Sequence, residues 1–161
     1  MREVMALAVS PDAIWAATTG GVFSYLPETG EVKRYTITDG LYGISARAIA
    51  FDPDCSDEGC VWIGYAGGII DQLDVSAGTV RTYYDIARAE RFPSREINRI
   101  VVHGDTVLVA TSFGIVLFDS EKQEVRDSYD QLGTVTPGTD VYDVVVGPAP
   151  NGGAALWAAT S

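Results

Sequence analysis

Apolar residues along this chain fall in short runs broken by Gly, Pro, Asp and Ser, and one run is written four times. It reads IWAATTGGV at 14–22, VWIGYAGGI at 61–69, VLVATSFGI at 107–115 and LWAATS at 156–161. Trp15, Trp62, Leu108 and Trp157 are equivalent positions, separated by 47, 46 and 49 residues. Within each unit four short segments recur. The first is VMALAVS at 4–10, ARAIAFD at 46–52, INRIVVH at 97–103 and VYDVVVG at 141–147. The second is the tryptophan motif. The third is VFSYL, IIDQLD and IVLFD, running into the turns PETG, VSAG and SEKQ, and the fourth is VKRY, VRTY and VRDSY. Richness in Val, Ile, Tyr and Trp between turn residues predicts a strand for each. A helical period is weak everywhere, and YDIARAERF at 84–92 reads as at most one helical turn in a linker.

Four strands in a repeat of roughly 40–50 residues is the signature of a β-propeller blade. The expected fold is therefore an all-β propeller of four-stranded antiparallel blades, incomplete here: three full blades and two strands of a fourth. Blade one is placed at 1–36, a linker at 37–45, blade two at 46–84, a linker at 85–96, blade three at 97–129, a linker at 130–140 and the half blade at 141–161. Side chains alternate faces along a strand, so Trp15 and Ala17, Trp62 and Gly64, Leu108 and Ala110, and Trp157 and Ala159 share a face. A large residue beside a small one lets neighbouring twisted sheets interdigitate at interior density. Gly21, Gly68 and Gly114 stand where the second strand turns into the third, a place for positive φ. So packing and turning, rather than ligand contact, account for most of the glycine-rich motif.

Composition narrows the partners. The 161 residues are 47% hydrophobic and carry 11 Lys and Arg against 22 Asp and Glu, a formal charge of −11. Nucleic-acid binding by phosphate neutralisation needs a basic surface, which this balance argues against. No apolar run approaches the roughly 20 residues needed to cross a bilayer. The opening MREVMALAVSPD has neither a long apolar segment nor a cleavage-like site, so no targeting signal is read in it. Cys55 and Cys60 flank SDEG, close enough for a disulfide that would staple one hairpin, and free thiols are the other reading. Two cysteines and His103 fall short of the four ligands of a structural zinc site, and no cofactor is expected. Asp52, Asp54, Asp57 and Glu58 could offer oxygens to calcium, but without EF-hand order they read better as a solvated acidic loop.

The order TDGL at 38–41, ARAIAFD, VWIGYAGGI, and YLPETGEVKRY at 25–35 resembles the two-component regulator propeller repeat. Departures are Leu108 in place of tryptophan and the insertion carrying the cysteines. The resemblance implies a periplasmic or other extracytoplasmic sensor region that binds a small molecule, with a carbohydrate as the candidate, and passes the signal to modules outside this chain. Related propellers serve as protein-interaction scaffolds in secretion complexes, which is the alternative, and a lyase or hydrolase completed by further blades is the second alternative. Fold alone does not choose among them. Because three and a half blades do not close, an oligomer or edge-to-edge association is expected.

Ligand positions should lie on the face built by the linkers and the turns between second and third strands. Aligning the first strands puts Met5, Arg47, Asn98 and Tyr142 in one ring there, followed by Ala6, Ala48, Arg99 and Asp143. With Tyr65 and Phe113 in the turns, the candidate ligand-binding residues are Arg47, Tyr65, Asn98, Arg99, Phe113, Tyr142 and Asp143, an aromatic and polar set suited to a sugar or a peptide. The competing reading is a solvated rim with ion pairs such as Arg99 with Asp143. No G-x-S-x-G nucleophile motif occurs and His103 reads as a solvent-facing hairpin residue, so the chain is expected not to be an enzyme and no catalytic residue is assigned.

Overall fold

The computed structural model describes residues 3–120 and 122–161. Each repeat forms an antiparallel sheet whose strands follow one another in chain order. The first contains β1 (Val4–Val9), β2 (Ile14–Thr18), β3 (Gly21–Leu26) and β4 (Glu31–Tyr35). The second contains β5 (Ala46–Asp52), β6 (Cys60–Tyr65), β7 (Ile70–Asp74) and β8 (Val80–Tyr83). The third contains β9 (Ile97–His103), β10 (Thr106–Thr111), β11 (Gly114–Asp119) and β12 (Glu124–Tyr129), and β13 (Val141–Pro148) pairs with β14 (Ala154–Thr160). Successive first strands pack on one another, β1 on β5, β5 on β9 and β9 on β13, as the inner strands of a propeller do. A short 3-10 turn spans Ile37–Asp39. The 84–92 segment is a run of turns rather than a helix, with Arg88 N–H bonded to Tyr84 O at 3.0 Å, Ala89 N–H to Ile86 O at 3.0 Å and Phe92 N–H to Ala89 O at 3.1 Å.

The core lies between the sheets. Trp15 and Ala17 of blade one meet Ala46, Ile49 and Ile63 of blade two. Trp62 meets Ile97, Val107 and Phe118 of blade three, and Leu108 and Ala110 meet Val141 and Val144. The large-beside-small rule is visible atom by atom at Gly64, where an added Cβ would stand 2.6 Å from Ile97 Cγ2. Trp157 has no following blade among the described residues and is half exposed.

Each tryptophan is also tied through its indole N–H to the end of its own first strand. Trp62 Nε1 donates to Asp52 Oδ2 at 3.2 Å, Trp15 Nε1 to Ser10 Oγ at 3.2 Å, and Trp157 Nε1 to Pro148 O at 3.3 Å. In blade three Leu108 has no N–H to satisfy, and His103, at the corresponding strand end, is exposed. The departure at Leu108 is thus matched by a departure in its partner. Asp52 is buried and also accepts the Asp54 N–H at 3.1 Å, so it belongs to the fold rather than to a solvated acidic loop. Cys55 and Cys60 are joined by a disulfide across this insertion, with Cα atoms 5.8 Å apart.

Candidate functional site on the linker face

Every first strand carries a bulge at the same place. Pairing steps from Val4 to Ala6, from Ala46 to Ala48, from Ile97 to Arg99 and from Val141 to Asp143, while the partner strand advances by one. The extra residues are Met5, Arg47, Asn98 and Tyr142, the ring expected from the sequence alignment. A bulge leaves its residue unpaired and re-aims its side chain. The bulge is therefore a repeated device, and the chemistry placed on it differs in each blade.

Three of the polar candidates reach toward the following blade. Arg47 Nη1 lies 2.9 Å from Glu96 Oε2, beside the start of β9. Asn98 Nδ2 donates to Asp140 Oδ1 at 2.6 Å and to Val141 O at 2.8 Å. Arg99 Nε lies 3.6 Å from Asp143 Oδ1, the ion pair named as the competing reading. Arg47, Arg99 and Asp143 remain substantially exposed, and such surface pairs contribute about 0–1 kcal/mol each. Tyr142 is 53% exposed.

Tyr65 and Phe113 correct the expectation of open aromatic surface, since each is 3% exposed. Tyr65 occupies the register position of Thr18 and Thr111, whose hydroxyls close their own turns onto Gly21 O and Gly114 O. In blade two the turn is longer, with Tyr65 N–H bonded to Ile69 O at 2.9 Å, and the phenol reaches Asp71 instead, donating to Oδ2 at 2.8 Å. Asp71 is fully buried and also accepts from Tyr42 N–H at 2.7 Å and Thr82 Oγ1 at 2.6 Å. Burial, then the negative charge of Asp71, pushes the Tyr65 phenol far above its ordinary range. Tyr65 is thus a fixed donor that stays protonated. Phe113 stacks on Phe92 with centroids 4.0 Å apart, and Arg91 covers Phe92 while pairing with Asp130 at 3.2 Å.

The exposed aromatic surface is supplied by residues that the repeat alignment did not single out. Tyr42, from the linker after the 3-10 turn, meets Tyr65 edge-on at 5.6 Å and Tyr84 at 6.2 Å, and Tyr42 and Tyr84 are 47% and 41% exposed. Both precede or follow a strand rather than recurring in it, so repeat spacing gave no cue. TDGL did give one: Thr36 N–H and Oγ1 both bond Asp39 Oδ2, fixing the turn that delivers Tyr42 to Asp71.

A family model described as the type IX secretion PorZ N-terminal β-propeller domain matches residues 14–150. The chain belongs to this family. Among solved structures it is similar to PorZ, a bacterial surface component of the type-IX secretion system of Porphyromonas gingivalis, at 25% identity and TM-score 0.74, over 89% of this chain and 18% of that one. It also resembles the extracellular domain of a putative hybrid two component system from B. thetaiotaomicron, at 24% identity and TM-score 0.67, over 98% of this chain and 20% of that one. The extracellular domain of a putative one component system from the same organism shares the fold at 14% identity and TM-score 0.75, over 98% and 20%. No curated protein matches the sequence. The chain spans about a fifth of the length of these relatives. Likeness to two-component proteins therefore holds as a likeness of fold, and the family itself is the secretion-component propeller. No helix among the described residues is long and apolar enough to cross a membrane.

Proposed function

We propose that this chain is a non-catalytic recognition region acting outside the cytoplasm as part of a cell-surface secretion component, and that it engages its partner through the linker face. The observation that carries this is the bulge repeated in every first strand with a different residue on each, Met5, Arg47, Asn98 and Tyr142. Repetition of the backbone device with variation of its side chain is what a recognition surface needs: constant geometry and free chemistry. Membership in the PorZ family supports the secretion context, and the surface location of PorZ itself supports the extracytoplasmic one. The test uses the whole parent protein carrying Arg47→Ala with Tyr142→Ala. The expected result is a folded, surface-located protein with secretion of type IX cargo lost. Unchanged secretion overturns the reading.

A second reading, saccharide sensing, is favoured by Tyr42 and Tyr84, exposed rings held next to the Tyr65–Asp71 pair. Rings of this kind stack on sugar faces while neighbouring Arg and Asn bond the hydroxyls. Binding on a glycan array that is lost in Tyr42→Ala/Tyr84→Ala, with melting temperature retained, supports it. The same candidate set, Arg47, Asn98, Arg99, Tyr142 and Asp143, serves either reading, with Tyr65 as its buried support.

A further inference from the structure

Away from the linker face, the cleft between blades one and two is built differently from its neighbour. Trp62 stacks on Tyr83 at 5.5 Å, and Phe118 of blade three closes over both, at 6.4 and 5.9 Å. Tyr83 Oη donates to Gln72 Oε1 at 2.8 Å. Blade one repeats the pair, with Trp15 and Tyr35 at 5.6 Å, but Leu73 stands at the register position of Phe118 and Ser24 at that of Gln72. The shorter Ser24 leaves the tyrosine without its partner. The cleft beside Trp15 and Tyr35 is a cavity of about 520 Å³, within the size range of ligand pockets.

Ser24 and Tyr35 both line this cavity and are only 3% and 7% exposed, and neither hydroxyl is bonded to another of the described residues. Neither is a sealed, unsatisfied atom, so both hydroxyls open into the cavity as donors and acceptors that a guest can reach. Exposed carboxylates of Asp12, Glu31, Asp57 and Glu58 also line it, and none of them is ion-paired among the described residues. The ring face of Tyr35 already holds a cation, Lys33 Nζ at 4.6 Å from its centroid. A positive group over an aromatic face is attracted by the ring quadrupole.

We propose that this cavity is a docking site for a basic side chain, arginine or lysine, carried by a protein partner, with Lys33 as the resident cation that the partner displaces. The stem of such a side chain packs against Trp15 and Leu26, its N–H groups reach the Ser24 and Tyr35 hydroxyls, and the carboxylates neutralise its charge. The site lies in the cleft between blades and is independent of the linker-face reading, so either can fail alone.

Titration with acetyl-Gly-Arg-Gly-amide, followed by the indole N–H resonances of the three tryptophans, tests it. The expected result is a saturable shift of Trp15 with Trp62 and the exposed Trp157 unmoved, and no shift with the glutamine peptide. Glu31→Gln/Asp57→Asn should weaken binding several-fold. Lys33→Gln should tighten it several-fold, more than Arg81→Gln, which removes the same charge from the equivalent position of blade two. A shift at Trp157 alone, equal response to the glutamine peptide, or equal effects of Lys33→Gln and Arg81→Gln overturns the proposal. Spermidine binding as tightly as the peptide overturns its assignment to a protein partner.

Discussion

Gly64 and Ile97 show how a seam between blades is tuned by single residues. The pairs that meet across successive seams are Ala17 with Ala46, Gly64 with Ile97, and Ala110 with Val141, the smallest residue facing the largest. Gly64→Ala drives a Cβ to 2.6 Å from Ile97 Cγ2 and should cost about 1–3 kcal/mol by urea unfolding. In an Ile97→Ala background the same change should be neutral or stabilising, so the double-mutant cycle has a coupling of opposite sign. Asp52→Ala should cost about 1–3 kcal/mol by stranding the buried Trp62 indole N–H. His103→Ala should stay within about 0.5 kcal/mol, since Leu108 offers no N–H to its strand end. The tryptophans, their small neighbours and the turn glycines were legible because a repeat exposes what each blade shares. The burial of Tyr65 is not legible in the repeat because its acceptor, Asp71, lies where the other blades carry Phe23 and Val116, and no sibling shows the contact.

At the scale of elements, the strands and their grouping into blades followed from the repeated apolar runs and the turns, whereas the bulges did not show. A bulge adds one residue without breaking an apolar run, so alignment on Val4, Ala46, Ile97 and Val141 found the ring but not the backbone irregularity that sets it apart. Turns carry their own electrostatics. The carboxyls of Asp39, Asp74 and Asp119 are held below their ordinary range, chiefly by the backbone N–H groups of Thr36, Ala77 and Lys122, each at 2.8 Å. Their folded pKa values lie below the unfolded reference of about 3.9, so the stabilisation is complete above about pH 4 and is lost as pH falls through the lowered folded values. Carboxyl titration by NMR should place all three below the reference, and Asp74→Asn should lessen the loss of stability between about pH 4 and pH 2.

For the whole molecule, two sheet faces are left uncovered by the described residues. Leu7, Val9 and Ile14 on blade one and Val145 and Trp157 on the fourth sheet are at least 38% exposed. The first face corresponds to the one that blade two lays on Trp15, and the second to the Trp15 face itself, so one chain's end complements another's start. Such a contact is heterologous and does not close on a two-fold axis. The chain of 161 residues is therefore expected to self-associate with rising concentration in light scattering, and Trp157→Lys to return it to a monomer. A monodisperse monomer at high concentration would remove that expectation.

The amino-acid sequence by itself determined the strand menu, the four-fold repeat and the packing of large against small, because these depend on local periodicity and are restated in every blade. It also supplied the cysteines that the fold brings together and the turn that delivers Tyr42. Only the tertiary structure decided which of the candidate residues stay open to solvent. Arg47, Asn98, Arg99, Tyr142 and Asp143 sit at bulges or beside them on the linker face, while Tyr65 and Phe113 are drawn inward by Asp71 and Phe92. The reason is physical: burial of an aromatic ring depends on partners from other loops and blades, and no spacing within one repeat records them.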